Sequence, residues 1–291
     1  MITGHSQRWR DGRTIFVQGD RFDAAEYTVS EIGLADARRF VVDHHYSRSY
    51  PADRFRVGLW RSRGGLRRQL VGVAVFSVPM NQGVVPKYTG LPASSGVELG
   101  RLVLLDDVAL PGETWFVSRA FRALRAAKGE VEAVVSYADP RPRFDAFGAV
   151  WKLGHVGKIY AALSGRHLGK SPSRSGWRTV TGAEVSERAL SKVRNGECGR
   201  DYATAELIRL GATPPGGQED GAAWLGRLED DGFLLRTRHP GKHVYSWGLT
   251  RHARQKFQGL PMEPYPQVGD PNAVDVAGLP LFAAPRRDGD K

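Results

Sequence analysis

The stretch DHHYSRSYP, residues 43–51, brings two histidines and two tyrosines together. His45 and Tyr46 are residue types that exchange protons or hold a metal. His44 and His45 cannot point the same way from a helix, so at most one of them serves a given site. A histidine here could equally do no more than sit at the negative end of a helix. Further along, VELGR (97–101) sets Glu98 and Arg101 in an otherwise apolar run. Three positions apart on a strand, they are expected on opposite faces. A guanidinium in such a run needs a carboxylate partner, such as Asp106 or Asp139, or else it lines a pocket. SYADPRPR (136–143) closes a strand with Ser136, Tyr137 and Asp139 and continues into Arg141 and Arg143. Ligands of open α/β sheets gather at that end of a strand, where the two arginines could meet phosphate. Asp139 could instead cap the following loop. GHVGKIY (154–160) opens a helix with two glycines, Lys158 and Tyr160, a natural place for an anion, although the Walker spacing is missing. HPGKH (239–243) has two histidines, but no other Cys/His cluster completes the usual four zinc ligands. A basic turn whose Arg238 and Lys242 touch a phosphate backbone is the better reading. Cys198 lies in a turn rich in Gly, Asn and Arg, and no role follows for it.

These residues need a frame. TIFVQ (14–18) is a candidate strand inside a lead-in segment, residues 1–26. YTVSEIG (27–33) alternates as a strand does, and residues 34–46 carry a helical stripe of Leu34, Ala37, Phe40 and Val41 that must end before Pro51. RFRVGLW (54–60) alternates again, with Arg54 and Arg56 on one face. It pairs as a hairpin with the apolar strand at 70–79. The strand at 97–107, a helix at 118–129, a strand at 131–140 and a helix at 154–165 follow. The pattern predicts an α/β fold over residues 27–180, a mixed sheet with helices on its faces, and its element order resembles the GNAT acyltransferase fold. Residues 181–257 change texture: helices at 186–196, 200–212 and 222–233, then a hairpin at 234–250 turning on Pro240 and Gly241. That outline resembles a winged helix, a possible DNA contact, or serves simply as a covering layer of the main domain. Residues 258–291, rich in Pro, Gly and Asp, are expected to be a disordered tail.

Lys and Arg together number 42 against 31 acidic residues, a net charge of +11 and a pI near 10.0. Such a balance favours a polyanionic partner, nucleic acid first, although an arginine-rich solvated surface would look the same. No apolar run is long enough to span a bilayer, so no membrane partner is expected. The N-terminal MITGHSQRWRDGR lacks the apolar core of a secretory signal, and the single cysteine allows no internal disulfide. A cytoplasmic protein is the expectation. The sequence does not give the oligomeric state, with a homodimer in view.

Taken together, HHYS (44–47), VELGRLVLLDD (97–107), ETWFVSRAFR (113–122), VVSYADP (134–140) and GHVGKIYAALSG (154–165) resemble, in order and spacing, the phage Mom DNA-modification family. The resemblance covers residues 27–250. It implies a divergent GNAT fold and an enzyme that converts adenine in double-stranded DNA to N6-(carbamoylmethyl)adenine, shielding phage DNA from restriction in the host cytoplasm. By position it points to His45, Tyr46, Arg101, Ser118, Asp139 and Tyr160 as catalytic, although helical periodicity puts Ser118 in the first turn of a helix. It leaves the donor unknown, with an acyl-CoA and an iron requirement both in view.

The turn at 109–115, AlaLeuProGlyGluThrTrp, bears on that donor. A GNAT enzyme holds the coenzyme A pyrophosphate with backbone amides at this place. Pro111 has no N–H, and Trp115 is bulky where the backbone must come close. An acyl-CoA is therefore disfavoured. The expected activity is DNA adenine modification, with Arg54, Arg56, Arg141, Arg143, Lys158, Arg238 and Lys242 holding the duplex. Two alternatives remain: a conventional GNAT N-acetyltransferase using acetyl-CoA on a small amine, a protein or a modified base, and a non-catalytic DNA-binding protein.

Overall fold

The computed structural model describes residues 22–266 apart from 46, 63–67, 110, 145–149 and 153. The expected strand at 14–18, Tyr46, and the tail beyond residue 266 lie outside the described residues. By its contacts the chain forms two compact units. The first holds residues up to Asp139, His155–Ser171 and Lys242–Pro266, and the second holds Pro140–Gly154 and Pro172–Gly241.

In the first unit the chain runs β1 (Tyr27–Glu31), α1 (Leu34–His44), β2 (Asp53–Arg61), β3 (Gln69–Ser77), α2 (Val84–Thr89), β4 (Gly96–Leu104), α3 (Gly112–Ala127) and β5 (Ala133–Ala138). In the second unit follow the short strands β6 (Arg143–Phe144) and β7 (Val150–Lys152). The first unit resumes with α4 (Lys158–Ala162) and β8 (Arg166–Lys170). β9 (Arg174–Thr179), β10 (Glu184–Val185), α5 (Glu187–Arg194), α6 (Arg200–Arg209), α7 (Gly221–Asp230) and β11 (Leu234–His239) complete the second unit, and β12 (His243–Gly248) and α8 (Arg251–Gln258) the first.

The first unit is the mixed α/β fold expected from the element order. Its seven-stranded sheet is ordered β1-β2-β3-β4-β5-β12-β8, antiparallel except for the parallel pair β4 and β5. The central strands β3 and β5 are apolar in nearly continuous runs, so both faces of the sheet are buried there. One face packs on α3, whose Phe116, Val117, Ala120 and Leu124 meet Phe55, Val57, Phe76 and Leu99. The other packs on α1, whose Ala37, Phe40 and Val41 meet Val73, Val75 and Val103. Leu34, expected on that stripe, is 41% exposed. α3 starts six residues earlier than the periodicity implied: Thr114 turns its hydroxyl back onto the Pro111 carbonyl, and Phe116 begins the buried stripe. α4 is shorter than expected, since Gly157 before it has φ +82 and Ser164 after it has φ +54, both outside the helical region.

β11 and β12 do not form the expected hairpin. β11 pairs with β9 in a three-stranded sheet β10-β9-β11, while β12 enters the large sheet between β5 and β8. Both segments are rich in strand formers around a Pro-Gly turn, and local sequence cannot say which partner each will take. Residues 234–250 thus do not form the wing of a winged helix. The second unit packs α5, α6 and α7 on that small sheet around Trp177, Leu190, Leu207, Trp224 and Leu228. Nor is the start of the tail disordered: the Pro264 carbonyl bonds His167 Nδ1 at 2.7 Å, and Tyr265 stacks on Tyr245.

β4 contains the feature that shapes the site. Val75 pairs with Arg101 but Phe76 pairs with Leu99, so Gly100 is an extra residue, a β-bulge. A side chain cannot fit there, because a Cβ on Gly100 would sit 2.3 Å from Ser77 Oγ. Gly100→Ala is expected to cost about 1–3 kcal/mol of stability, the scale of overpacking a tight interior. Removing the clashing hydroxyl with Ser77→Ala should recover part of it, and chemical denaturation of the two single variants and the double variant checks this.

Candidate active site

Parallel strands part where their pairing ends. β4 and β5 pair only from Gly96 opposite Ala133 to Glu98 opposite Val135, although both continue further. From Leu99 and Ser136 onward they are no longer paired, and the Ser136 hydroxyl bonds the Leu99 carbonyl at 2.9 Å across the opening. Residues just past this point stand at the opening between the strands' unpaired C-terminal ends, the candidate cleft of an open sheet.

The bulge decides what enters it. Ser77 pairs with Glu98 and Val75 with Arg101, and Ser77 and Val75 share a face. Opposed residues of an antiparallel pair also share a face, so Glu98 and Arg101 lie on the same one. The expectation of opposite faces is corrected: the extra residue shifts the parity of everything after it. The pairing of β12 with β5 puts Lys242 next to Asp139, with Nζ 4.0 Å from Oδ2. Lys242 and Arg101 both act on Glu98, so charges alternate along the cluster Arg101, Glu98, Lys242, Asp139. Asp139 is 2% exposed.

Burial dominates the protonation of Glu98. It lifts the carboxyl above its ordinary range, against the pull of Lys242 and Arg101. Burial also pushes the Tyr137 phenol far up, aided by Glu98 and Tyr88, so Tyr137 stays a neutral donor. Tyr160 is raised for the same first reason and shares a hydrogen bond with Ser136. Its ring lies edge-on to Tyr245 at 5.3 Å and Trp247 at 5.5 Å, within the core.

Arg101 is held in place. Its Nε donates to the Ser49 carbonyl at 2.9 Å, one terminal nitrogen to Ser49 Oγ at 2.9 Å and the other to the bulge carbonyl of Gly100 at 2.6 Å. Ser49 belongs to the loop that follows α1, and its hydroxyl donates to Ser47 Oγ at 3.3 Å. Ser47 Oγ lies 2.8 Å from His45 Nδ1, and the Ser47 amide donates to that same nitrogen. Nδ1 is thus an acceptor, which leaves the neutral ring's proton on Nε2. His45 presents a donor rather than a base. The structure therefore links His45, Arg101 and Asp139 through Ser47, Ser49, Glu98 and Lys242. Ser118 is not among them. It lies in the middle of α3, not its first turn, and lines a separate groove.

Several residues expected to hold phosphate have other partners. Arg54 donates to the carbonyls of Ser94 and Gly96 and pairs with Glu130. Arg56 pairs with Asp53 at 2.6 Å and caps the Ile32 carbonyl. Arg141 bonds the Thr237 hydroxyl and Arg238 the Ser173 hydroxyl. Lys158 is exposed, and the Arg143 side chain lies outside the described residues. Alternation marked a polar face in β2, but it could not show which carbonyls and carboxylates face it. Glu98 and Lys242 were not expected among the catalytic candidates, yet both belong to this charged cluster. The unusual charge within an apolar strand was the available signal for Glu98, while Lys242 depends on a long-range strand pairing.

The residues after β4 do not fit a coenzyme A pyrophosphate. The Gly112 amide is already taken by the Ala109 carbonyl at 2.8 Å. Gly112 is buried, and a Cβ there would meet Val108 at 2.6 Å and Phe22 at 3.1 Å. Glu113 puts a carboxylate in the first turn of α3, where an anionic ligand would need positive charge. Iron fares no better: among the described residues, no three His, Cys, Asp or Glu side chains come together as a metal site.

The sequence matches the Mom protein family over residues 26–267. No curated protein matches it. Among solved structures it is similar to one described as a tandem GNAT protein from the clavulanic acid biosynthesis pathway, without AcCoA, at 9% identity and a TM-score of 0.36. That alignment covers 77% of this chain and 99% of the other. The fold assignment stands on the sheet itself.

The raised carboxyl of Glu98 has a consequence for stability. The fold favours its protonated form, so the stability it contributes is present below the unfolded value, about 4.3, and is lost as pH rises through the higher folded value. Glu98→Gln removes that loss. Its melting temperature relative to the parent is expected to rise between pH 4 and pH 7. A gap that stays flat across that range would show that Glu98 is not desolvated.

Proposed function

We propose that this chain, which belongs to the Mom protein family, modifies duplex DNA by transferring a carbamoylmethyl group to the exocyclic N6 of adenine. The observation that carries the reading is the cluster of Arg101, Glu98, Lys242 and Asp139 at the opening between β4 and β5. It pairs a fixed guanidinium with a carboxylate of raised proton affinity at the sheet position where ligands collect. The net charge of +11 supports a polyanionic substrate.

Adenine N6 is a weak nucleophile, because its lone pair is delocalised into the ring. The base must also leave the stack to reach a cleft, at a cost of a few kcal/mol. In the step proposed, N6 attacks the methylene carbon of a donor that carries the carbamoylmethyl group. The N–C bond forms as the donor's leaving group departs with its electron pair. The N6 proton passes to a carboxylate. Glu98 suits that role better than Asp139, since burial makes it the stronger base while Lys242 sits beside Asp139. Arg101, anchored on Ser49 and Gly100, orients the carbonyl of the incoming group. His45 and Tyr137 supply hydrogen-bond donors at the rim. The Tyr160 ring is packed against Tyr245 and Trp247, so its part is a hydrogen bond through Ser136 rather than stacking on a base.

Expression in cells, digestion of their DNA to nucleosides and mass spectrometry test this. The expected product is N6-(carbamoylmethyl)deoxyadenosine. Unaltered deoxyadenosine from cells that contain the folded protein would reject the reading, and an acetyl increment would point to conventional acetyl transfer. Arg101→Ala should lower modification by about 100-fold or more, the scale of losing one preorganised charged donor, with duplex affinity nearly unchanged. Full activity of that variant would remove Arg101 from the mechanism.

A further inference from the structure

A second charged feature of the first unit lies away from the cleft. The cleft opens where Ala138 pairs with His243, whereas a groove of about 810 Å³ lies towards the other end of the same strand pair, beside Trp247, Gly248 and Leu249. The two ends are about 17 Å apart at a strand rise of about 3.4 Å per residue. The groove runs between α3 and α8. Phe121, Trp247 and Phe257 line it together with Arg122, Arg125, Arg166 and Arg254, and no Asp or Glu does. The neighbouring carboxylate Glu132 is engaged by the Thr250 hydroxyl and by His252.

The arginines are arranged in rows. On α3, Arg119, Arg122 and Arg125 follow one another at intervals of three, a rise of about 4.5 Å each. On α8, Arg251 and Arg254 repeat that interval, and the helix has no acidic residue. Three of the groove's arginines are partly spoken for: Arg125 caps the Gly129 and Val131 carbonyls, Arg166 the Leu260 carbonyl, and Arg254 donates Nε to the Gly248 carbonyl, each with guanidinium N–H groups to spare. Arg122 is exposed and takes no hydrogen-bond or ion-pair partner among the described residues. Two buried atoms of the lining, Arg166 Nε and Ser246 Oγ, also lack a partner among the described residues. A compact anion needs one or two guanidinium forks. Glu132, outside the lining, feels Arg125, but no carboxylate is among the described residues that line the groove; arginines spaced along two helices in this way match a linear polyanion, and a duplex carries a charge about every 1.7 Å of its axis.

We infer that the arginine-lined groove between α3 and α8 holds the phosphodiester backbone of duplex DNA, at a place separate from the cleft. The choice of DNA as the polyanion rests on the function proposed above. The groove gives affinity without sequence preference, and the cleft acts on the base.

Fluorescence anisotropy of the full chain with a labelled 20-base-pair duplex, titrated at several salt concentrations, tests it. Loss of two phosphate contacts in the Arg122→Ala/Arg254→Ala variant should flatten the log–log salt slope by about 1.8 and weaken binding about 30-fold at 0.15 M salt. Arg122→Gln alone, at an exposed helix position, should keep the parent melting temperature and flatten the slope by about 0.9. Unchanged affinity and slope in Arg122→Gln would overturn the inference. So would a parent protein that fails to bind duplex at low salt, or binding that ATP or poly-glutamate displaces and excess unlabelled duplex does not. The two proposals fail separately. Groove-dependent binding with unaltered deoxyadenosine in cells would reject only the modification chemistry, while modified adenine with wild-type binding by the arginine variants would reject only the groove.

Discussion

One inserted residue organises the site. Gly100 adds a unit to β4 that β3 does not match, and every side chain after it changes face. Without the bulge, Arg101 would point into the α3 core beside Phe76 and Leu99. With it, Arg101 shares a face with Glu98, and the freed Gly100 carbonyl accepts one of its N–H groups. The same insertion needs glycine for space, because Ser77 fills the room a Cβ would take. The backbone irregularity therefore selects the residue at position 100, aims the guanidinium and supplies one of its anchors.

The cleft and the turn beyond it have opposite electrostatic characters. At the strand ends, positive and negative groups alternate and keep a buried carboxylate between two cations. At the start of α3, the first amide is satisfied internally and a glutamate occupies the first turn. The second arrangement disfavours an anionic ligand at the start of that helix. The charged cluster of the candidate site is thereby carried by β4, the residues flanking β5 and β12, and the loop after α1. Further positive charge lies elsewhere on the unit, in the arginine rows of α3 and α8.

Much of the frame was legible in the sequence. Alternation located β1 and β2, apolar runs located β3 to β5, helical spacing located α1 and the body of α3, and their order implied the mixed sheet. Asp139 and Arg101 stood out because a charge beside or within an apolar strand must have a reason. The parts that could not be read depend on distant pairing. A bulge is a relation between two strands, so residues 97–101 alone could not reveal that Glu98 and Arg101 would meet. The Pro240-Gly241 turn looked like a hairpin because β11 and β12 each have strand-forming residues, yet they pair in different sheets. Arg54 and Arg56 looked available because alternation ranks faces without showing the carbonyls opposite them. The arginine groove was missed for a similar reason: α3 and α8 are more than 100 residues apart, and only the fold sets their rows side by side.

The site depends on Glu98 and Arg101 sharing one face of β4 across the bulge, and a carboxyl-¹³C titration of Glu98 by NMR reads that directly. Its resonance can be assigned by its loss in a glutamine variant. If the two groups share a face, replacing Arg101 with methionine removes a favourable charge and moves the Glu98 midpoint to still higher pH. A Glu98 midpoint that is identical with and without the guanidinium would place them on opposite faces and contradict the geometry on which the site is built.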